Sequence, residues 1–180
     1  MKILVAGAHQ WKDRSGNWNP DINGWSNIDE GAVFTYHWNE NTTSWDYVCI
    51  TRSSLALGLQ ANQPPLTDEG QIDPSILGLS NLNFGRSVDI SDDGTKMIVG
   101  CPGDVSAGTD LHDRVYTYNW NSSTQSWDEH SIIYNPRINN GTVEFGSDST
   151  LYQDRSEFGQ GVSISGNGQK IVIGAPNWGS

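Results

Sequence analysis

Val33-Phe-Thr-Tyr-His-Trp-Asn-Glu-Asn-Thr-Thr-Ser-Trp-Asp-Tyr-Val-Cys-Ile50 returns 82 residues later as Val115-Tyr-Thr-Tyr-Asn-Trp-Asn-Ser-Ser-Thr-Gln-Ser-Trp-Asp-Glu-His-Ser-Ile132, with ten of the eighteen positions identical and no gap. A recurrence at fixed offset is the signature of a repeat architecture. Within each copy the side chains alternate with the period of a strand. Phe34, Tyr36 and Trp38 fall on one face, and Val33, Thr35 and His37 on the other. Tyr116, Tyr118 and Trp120 repeat the aromatic stripe. A ligand platform would explain one such stripe, but its recurrence predicts packing between neighbouring sheets. A polar loop, Asn39 to Ser44 or Asn121 to Ser126, leads to a further strand that begins at Trp45 or Trp127.

A second pair of segments surrounds the later copy. Phe84-Gly-Arg-Ser-Val-Asp-Ile-Ser-Asp-Asp-Gly-Thr-Lys-Met-Ile-Val-Gly-Cys-Pro102 matches Phe158-Gly-Gln-Gly-Val-Ser-Ile-Ser-Gly-Asn-Gly-Gln-Lys-Ile-Val-Ile-Gly-Ala-Pro176 at nine of nineteen positions, offset by 74. The N-terminal Leu4-Val-Ala-Gly-Ala-His9 aligns with Ile171-Val-Ile-Gly-Ala-Pro176 and reads as the end of a third copy. Each full copy therefore holds four strands. The first runs from Ser87 to Ile90, or from Gly161 to Ile164. A tight turn follows at Ser91-Asp-Asp-Gly94 or Ser165-Gly-Asn-Gly168, where Asp-Gly and Asn-Gly tolerate positive φ. The second strand, Lys96 to Gly100 or Lys170 to Gly174, is a short continuous apolar run, as for a strand covered on both faces. The aromatic strand and its Trp-led partner are the third and fourth.

Four-stranded sheets in series, without a helical segment, predict an all-β fold: a β-propeller of four-stranded antiparallel blades. Residues 9–32, 53–83 and 134–157 are polar, rich in Gly, Asn, Asp and Ser, and read as surface loops. The chain divides into an incomplete first blade (1–52), a loop (53–83), a complete blade (84–133), a loop (134–157) and the first half of a next blade (158–180). That is about two and a quarter blades, whereas propellers close with four to eight. A ring of three chains and six blades would need eight strands from each. Nine are read here, the second strand being duplicated at both ends, so the expectation is a piece of a longer chain.

Composition agrees with many turns and few charges: 20 Gly and 8 Trp stand out among 180 residues. The net charge is -11, with only 10 Lys plus Arg, so the basic footprint of a nucleic-acid binder is missing. Anionic membrane surfaces are disfavoured for the same reason. No apolar run reaches the roughly 18 residues of a membrane span, and Ile3 to Ala8 is too short for a signal-peptide core. Cys49 and Cys101 read as two free, buried thiols, since no framework spacing supports a disulfide.

Phe84-Gly85 and Phe158-Gly159, each followed about sixteen residues later by Gly100-Cys-Pro102 or Gly174-Ala175-Pro176, resemble the FG-GAP repeat. That repeat builds the propeller of integrin α subunits and of many bacterial and algal surface proteins. The resemblance covers both full repeats and the N-terminal half-copy. It implies an extracellular or cell-surface adhesion module that recognises a protein or glycan through loops at the blade ends. One feature departs from the family. Integrin-type repeats often carry an Asp-x-Asp-x-Asp-Gly calcium loop between the first two strands, here shortened to four-residue turns. Calcium takes six to eight oxygen ligands, which such a turn does not supply, so no cofactor is expected. Trp45-Asp46 and Trp127-Asp128 look like the signature of WD40 repeats, but that period is roughly 40–45 residues and no Gly-His precedes the strands. The Asp box of sialidase-type propellers lacks its register and its Trp at residues 91–94.

No nucleophile elbow, P-loop, His-Glu-x-x-His or Cys-x-x-Cys pattern occurs. His9, His37, His112 and His130 have no ligand spacing, and His37, in mid-strand, reads as a hydrogen-bonded structural residue. Asp68-Glu69 and Asp128-Glu129 read as solvated carboxylates. The segment 9–32 sets Trp11, Trp18 and Trp25 among Asp21 and several Asn. Exposed rings beside short amides suit sugar recognition, although the same rings could instead cap the loop itself. Sequons stand at Asn41, Asn121 and Asn140. The leading expectation is a non-enzymatic binding segment with a protein or glycan ligand and further blades in cis or in trans. A structural part of a larger cell-surface or virion assembly is the rival, and a propeller-based glycan hydrolase the third reading.

Overall fold

The structure, a computed structural model, describes residues 2–10, 31–53, 83–103, 113–136 and 156–177, together with the backbone of 138–139 and 142–143. Within these residues the protein is all-β and its strand pairs are antiparallel. Strands β1 (Ile3–Ala8), β2 (Ala32–Asn39) and β3 (Ser44–Thr51) form a first sheet in chain order. A second sheet runs β4 (Ser87–Ile90), β5 (Lys96–Cys101), β6 (Arg114–Asn121) and β7 (Ser126–Tyr134), again in chain order. After the short hairpin β8 (Ile138–Asn139) and β9 (Thr142–Val143), strands β10 (Gly161–Ile164) and β11 (Ile171–Gly174) make a third, two-stranded sheet. The hairpin lies in the segment 134–157 that the sequence reads as loop. That segment is not all surface either, because Asn135 and Ser156 are buried.

The repeat is reproduced in backbone detail. In β2–β3 the register shifts between Thr35 and Tyr36; in β6–β7 it shifts between Thr117 and Tyr118, the position 82 residues on. Each shift is a β-bulge, which leaves one extra residue on the outer strand and increases local twist. The hairpin that follows is also built twice. Asn39 Oδ1 accepts the backbone N–H groups of Asn41 (3.0 Å) and Thr42 (3.3 Å), while its Nδ2 donates to Asp46 Oδ2 at 2.7 Å. Asn121 does the same with Ser123, Thr124 and Asp128. The Asp of each Trp-Asp pair thus braces its own hairpin loop.

The second sheet is covered on both faces. Met97, Val99, Tyr116, Tyr118 and Trp127 pack with Val33 and Val5 of the first sheet and with Phe84. Ile98 and Val115 pack on the other side with Phe158 and with Val162, Ile164 and Ile173 of the third. This accounts for the continuous apolar run of β5, whose Met97, Ile98 and Val99 are all fully buried. The stack is bonded as well as packed: Trp127 Nε1 donates to Thr35 Oγ1 at 2.9 Å, and Asp89 Oδ2 accepts Ser163 Oγ (3.0 Å) and Ile164 N (2.9 Å). Cys101 is a buried thiol and Cys49 a half-buried one, neither in a disulfide; burial pushes the Cys101 thiol up to about 12.

The aromatic stripe splits in two. Tyr116 and Tyr118 lie in the core, as the recurrence predicts, and desolvation raises both phenols. Phe34 and Tyr36 instead meet Tyr47 of their own sheet, and that face has no sheet over it among the described residues. Leu4 is 42% exposed and Trp45 41%, while their counterparts Met97 and Trp127 are 0% and 7%. Identical sequence pattern gives opposite burial because only one copy has a neighbour on that side.

The Phe-Gly turns hold the sheets together. Gly85 and Gly159 have φ of 82° and 93°, a region costly to a residue with a Cβ. Their backbones press on the preceding sheet: a Cβ on Gly85 would meet Ala32 O at 2.6 Å, and one on Gly159 would meet Arg114 O at 2.9 Å. Reciprocally, a Cβ on Gly100 would collide with Gly159 O, and one on Gly7 with Gly85 O. Gly159→Ala should therefore cost about 2 kcal/mol or more of stability. Gly161→Ala, two residues on, where an added Cβ meets nothing within 4 Å, should be within about 0.5 kcal/mol of the parent or stabilise it. Urea denaturation of both variants decides; equal costs would refute the contact as the spacer between sheets.

Candidate functional site

The loop ends that carry Phe-Gly and Gly-Ala-Pro lie together at one end of the three sheets. Between them is a recess of about 250 Å³ lined by His9, Gln10, Asn83, Arg86, Pro102, Gly103, Glu157 and Gln160. Each sheet supplies part of the wall. His9 and Gln10 follow β1, Asn83 and Arg86 flank the Phe84-Gly85 turn before β4, Pro102 and Gly103 follow β5, and Glu157 and Gln160 flank the Phe158-Gly159 turn before β10.

Backbone chemistry fixes these positions. Asn83 and Glu157 both adopt positive φ, 53° and 52°, and each accepts an N–H across its turn: Arg86 N donates to Asn83 O at 3.0 Å and Gln160 N to Glu157 O at 2.9 Å. Gly85 N and Gly159 N donate to Gly100 O and Gly174 O, which ties each turn to the end of its own second strand. Beneath the second turn, Asp113 Oδ2 accepts Ser156 Oγ at 2.9 Å and Phe158 N at 3.2 Å, and Asn135 Nδ2 donates to Ser156 Oγ at 2.9 Å. This buried network anchors the turn from below.

Across the recess, Arg86 Nη1 and His9 Nε2 are 3.2 Å apart, joining residues 77 positions distant in the chain. No carboxylate pairs with Arg86 among the described residues, although Glu157 lines the same recess. The walls are polar: two amides from Gln, one from Asn, a guanidinium, an imidazole and a carboxylate, with Pro102 the largest apolar contributor.

The residues that the sequence singles out fall into two groups. Phe84, Gly85, Gly100, Phe158 and Gly159 form the inter-sheet contacts described above, Gly174 O accepts Gly159 N within its own sheet, Pro102 reaches the recess rim, and Ala175 packs with Phe158. Trp11, Trp18, Asp21 and Trp25 lie outside the described residues, as do His112, Asp68-Glu69 and Asn140. Their flanks are defined: Gln10 lines the recess, and Gly31 bridges to Phe84. His37 departs from expectation. Its Nε2 is buried without a hydrogen-bond partner, and the ring meets Trp120 edge-on at 5.2 Å, with burial lowering its pKa. His9, Arg86, Glu157 and Gln160 were not candidates in the sequence, yet a signal for them exists. They stand where aligned copies disagree.

Among the described residues no three His, Cys, Asp or Glu side chains come together as metal ligands, and no helix is long and apolar enough to cross a membrane. The short turns are occupied by their own side chains. Asp93 Oδ1 accepts Ser91 Oγ (2.6 Å), Thr95 N (2.9 Å) and Thr95 Oγ1 (2.8 Å). In the next copy the uncharged Asn167 fills that place, accepting Ser165 Oγ and Gln169 N. A position served equally by an amide organises a turn and does not require charge.

No protein-family model matches this chain, and no curated protein matches it either. Its chemistry is read from its own residues.

The bonds from Ser91 and Thr95 hold the Asp93 carboxyl down at about 2, below its ordinary 3.8. A depressed carboxyl contributes stability that is present above the unfolded value and lost as pH falls through the folded one. Stability should drop between about pH 4 and pH 2, and Asp93→Asn should flatten that window while leaving neutral-pH stability close to the parent. Chemical denaturation across pH checks both; a steep loss at pH 7 in the Asn variant would show that an amide does not replace the carboxylate in the turn's hydrogen bonds.

Proposed function

We propose that this chain is a segment of an FG-GAP-like β-propeller and acts as a non-enzymatic recognition module at a cell surface, with its ligand taken at the loop ends. The observation that carries the reading is the polar recess built jointly by the loop ends of three consecutive repeats. Sheets stacked face to face, the second and third each entered through a Phe-Gly turn against its predecessor, support the propeller reading. Active groups in enzymes are set by paired acids and bases or by activated nucleophiles. The recess offers amides, one guanidinium, one imidazole and one carboxylate, with the imidazole against the guanidinium, a set that suits binding.

Screening the full chain on glycan and peptide arrays tests this. Selective binding of one ligand class is expected. It should be lost when Asn83→Gly, which keeps the positive φ, and Gln160→Ala are combined, with the unfolding midpoint retained. An array without specific binding, or binding indifferent to both substitutions, would overturn the reading.

A structural role in a larger assembly has one observation in its favour. The first sheet exposes Leu4, Trp45 and Tyr47 on the face that in the second sheet is covered by a neighbour, and Val172 of β11 is 70% exposed at the other end of the stack. Unpartnered faces of this kind mark docking surfaces. Sedimentation velocity should then show concentration-dependent association that Trp45→Glu abolishes without changing array binding. A monodisperse parent chain would refute this second reading.

A further inference from the structure

Internal repeats supply their own control for what the fold requires. Where copies agree, as at Phe84/Phe158, Gly85/Gly159 and Gly7/Gly100, the residues make the same kind of inter-sheet contact in each. Around the Phe-Gly turn three positions break the pattern toward ionisable groups. His9 stands where the other copies have Pro102 and Pro176, Arg86 where the next has Gln160, and Glu157 where the preceding one has Asn83. All three line one recess.

The fold does not ask for them. Arg86 and Gln160 make the same backbone hydrogen bond after their turns, so the guanidinium is not a structural necessity. Glu157 sits at φ 52°, a conformation that Asn accepts readily and Glu does not. Keeping Glu there carries a steric cost, and strain at a ligand site is an arrangement known in proteins. Among the described residues Arg86 and Glu157 share the recess without forming an ion pair; Arg86 meets His9 through Nη1, and its other N–H groups keep capacity for a ligand. Ten Lys plus Arg stand against 21 Asp plus Glu, so a guanidinium in a shared recess is a scarce group in this chain.

We infer that the recess binds an acidic saccharide, its carboxylate held by Arg86 and its neighbouring ring hydroxyls by Glu157 and Gln160. Arg presents a planar fork of donors that matches a carboxylate bidentately. Glu157 accepts hydroxyl protons, and the amides of Gln10, Asn83 and Gln160 both donate and accept, as a ring of adjacent hydroxyls requires. A volume of about 250 Å³ is small beside the usual pockets for drug-sized ligands and suits a single ring. The largely polar wall gives an apolar peptide side chain little to bury against. The assignment rests on the chain being a recognition module, and it names that module's ligand.

The test titrates the full chain by calorimetry with a uronic acid oligosaccharide, with the matching neutral oligosaccharide carrying a primary alcohol, and with tetra-aspartate. The uronate should bind at least tenfold tighter than either. Arg86→Gln, which installs the next repeat's own residue, should retain the unfolding midpoint and lose at least tenfold in uronate affinity while the neutral sugar is unaffected. Glu157→Asn, again a residue that a sister repeat carries, should fold at least as well and also weaken uronate binding. It provides the readout if the Arg86 variant does not fold. Equal binding of acidic and neutral sugars, preference for tetra-aspartate, or a uronate affinity unmoved by these substitutions overturns the assignment. If the arrays described above still yield a ligand sensitive to recess substitutions, the recognition reading survives that loss. If they yield none, both fall.

Discussion

The close approach of two glycine backbones, Gly100 against Gly159 and Gly7 against Gly85, sets the distance between successive sheets. A Cβ at either partner would occupy the space of the facing carbonyl, so the sheets would have to separate. With that spacing kept, Phe84 and Phe158 reach the preceding sheet and are buried there, each contributing about 2–3 kcal/mol. The hydrogen bonds of Trp127 to Thr35 and of Asp89 to β10 are bonds across a gap whose width the glycines determine. The recess follows too, because the two Phe-Gly turns and the ends of β1 and β5 can share one wall only when they sit side by side.

Much of this was legible in the sequence because repetition removes ambiguity. A short apolar run such as Met97-Ile98-Val99 is compatible with several structures, but its recurrence after an Asp-Gly or Asn-Gly turn leaves a strand as the consistent reading. The hairpins at Asn39 and Asn121 were equally readable, since their recurring Asn, Thr, Ser and Asp are the groups that form the hydrogen bonds. Burial was less so. Trp45 and Trp127 occupy the same position in the same motif, and only the presence of a sheet on one side distinguishes them. That is a property of neighbours, which no local pattern encodes. His37 shows the same limit: its strand position was readable, but its contact is Trp120, 83 residues away.

The recess lay further out of reach. Its residues come from loop ends on three different sheets, and they are the residues at which repeats differ, whereas a search for repeats rewards agreement. Positions that agree report what the stack needs; positions that disagree, once the stack has placed them together, report what a particular copy does. The Trp-rich segment 9–32 drew attention for its composition. Only its ends, His9 and Gln10 on one side and Gly31 and Ala32 on the other, fall among the described residues, and they flank the same recess and the Phe84 turn.

Electrostatics narrows what such a recess can hold. A chain of net charge -11 repels anions at long range, and the repulsion grows with the charge of the ligand. Short-range contact with one guanidinium offsets that for a ligand bearing one carboxylate, but not for a polyanion whose many charges all meet the same field. Screening at physiological ionic strength reaches about 8 Å, so it suppresses the long-range term while sparing a direct hydrogen-bonded pair. On the proposed reading, selectivity is then twofold: net charge disfavours polyanions, and Arg86 distinguishes a singly acidic sugar from a neutral one.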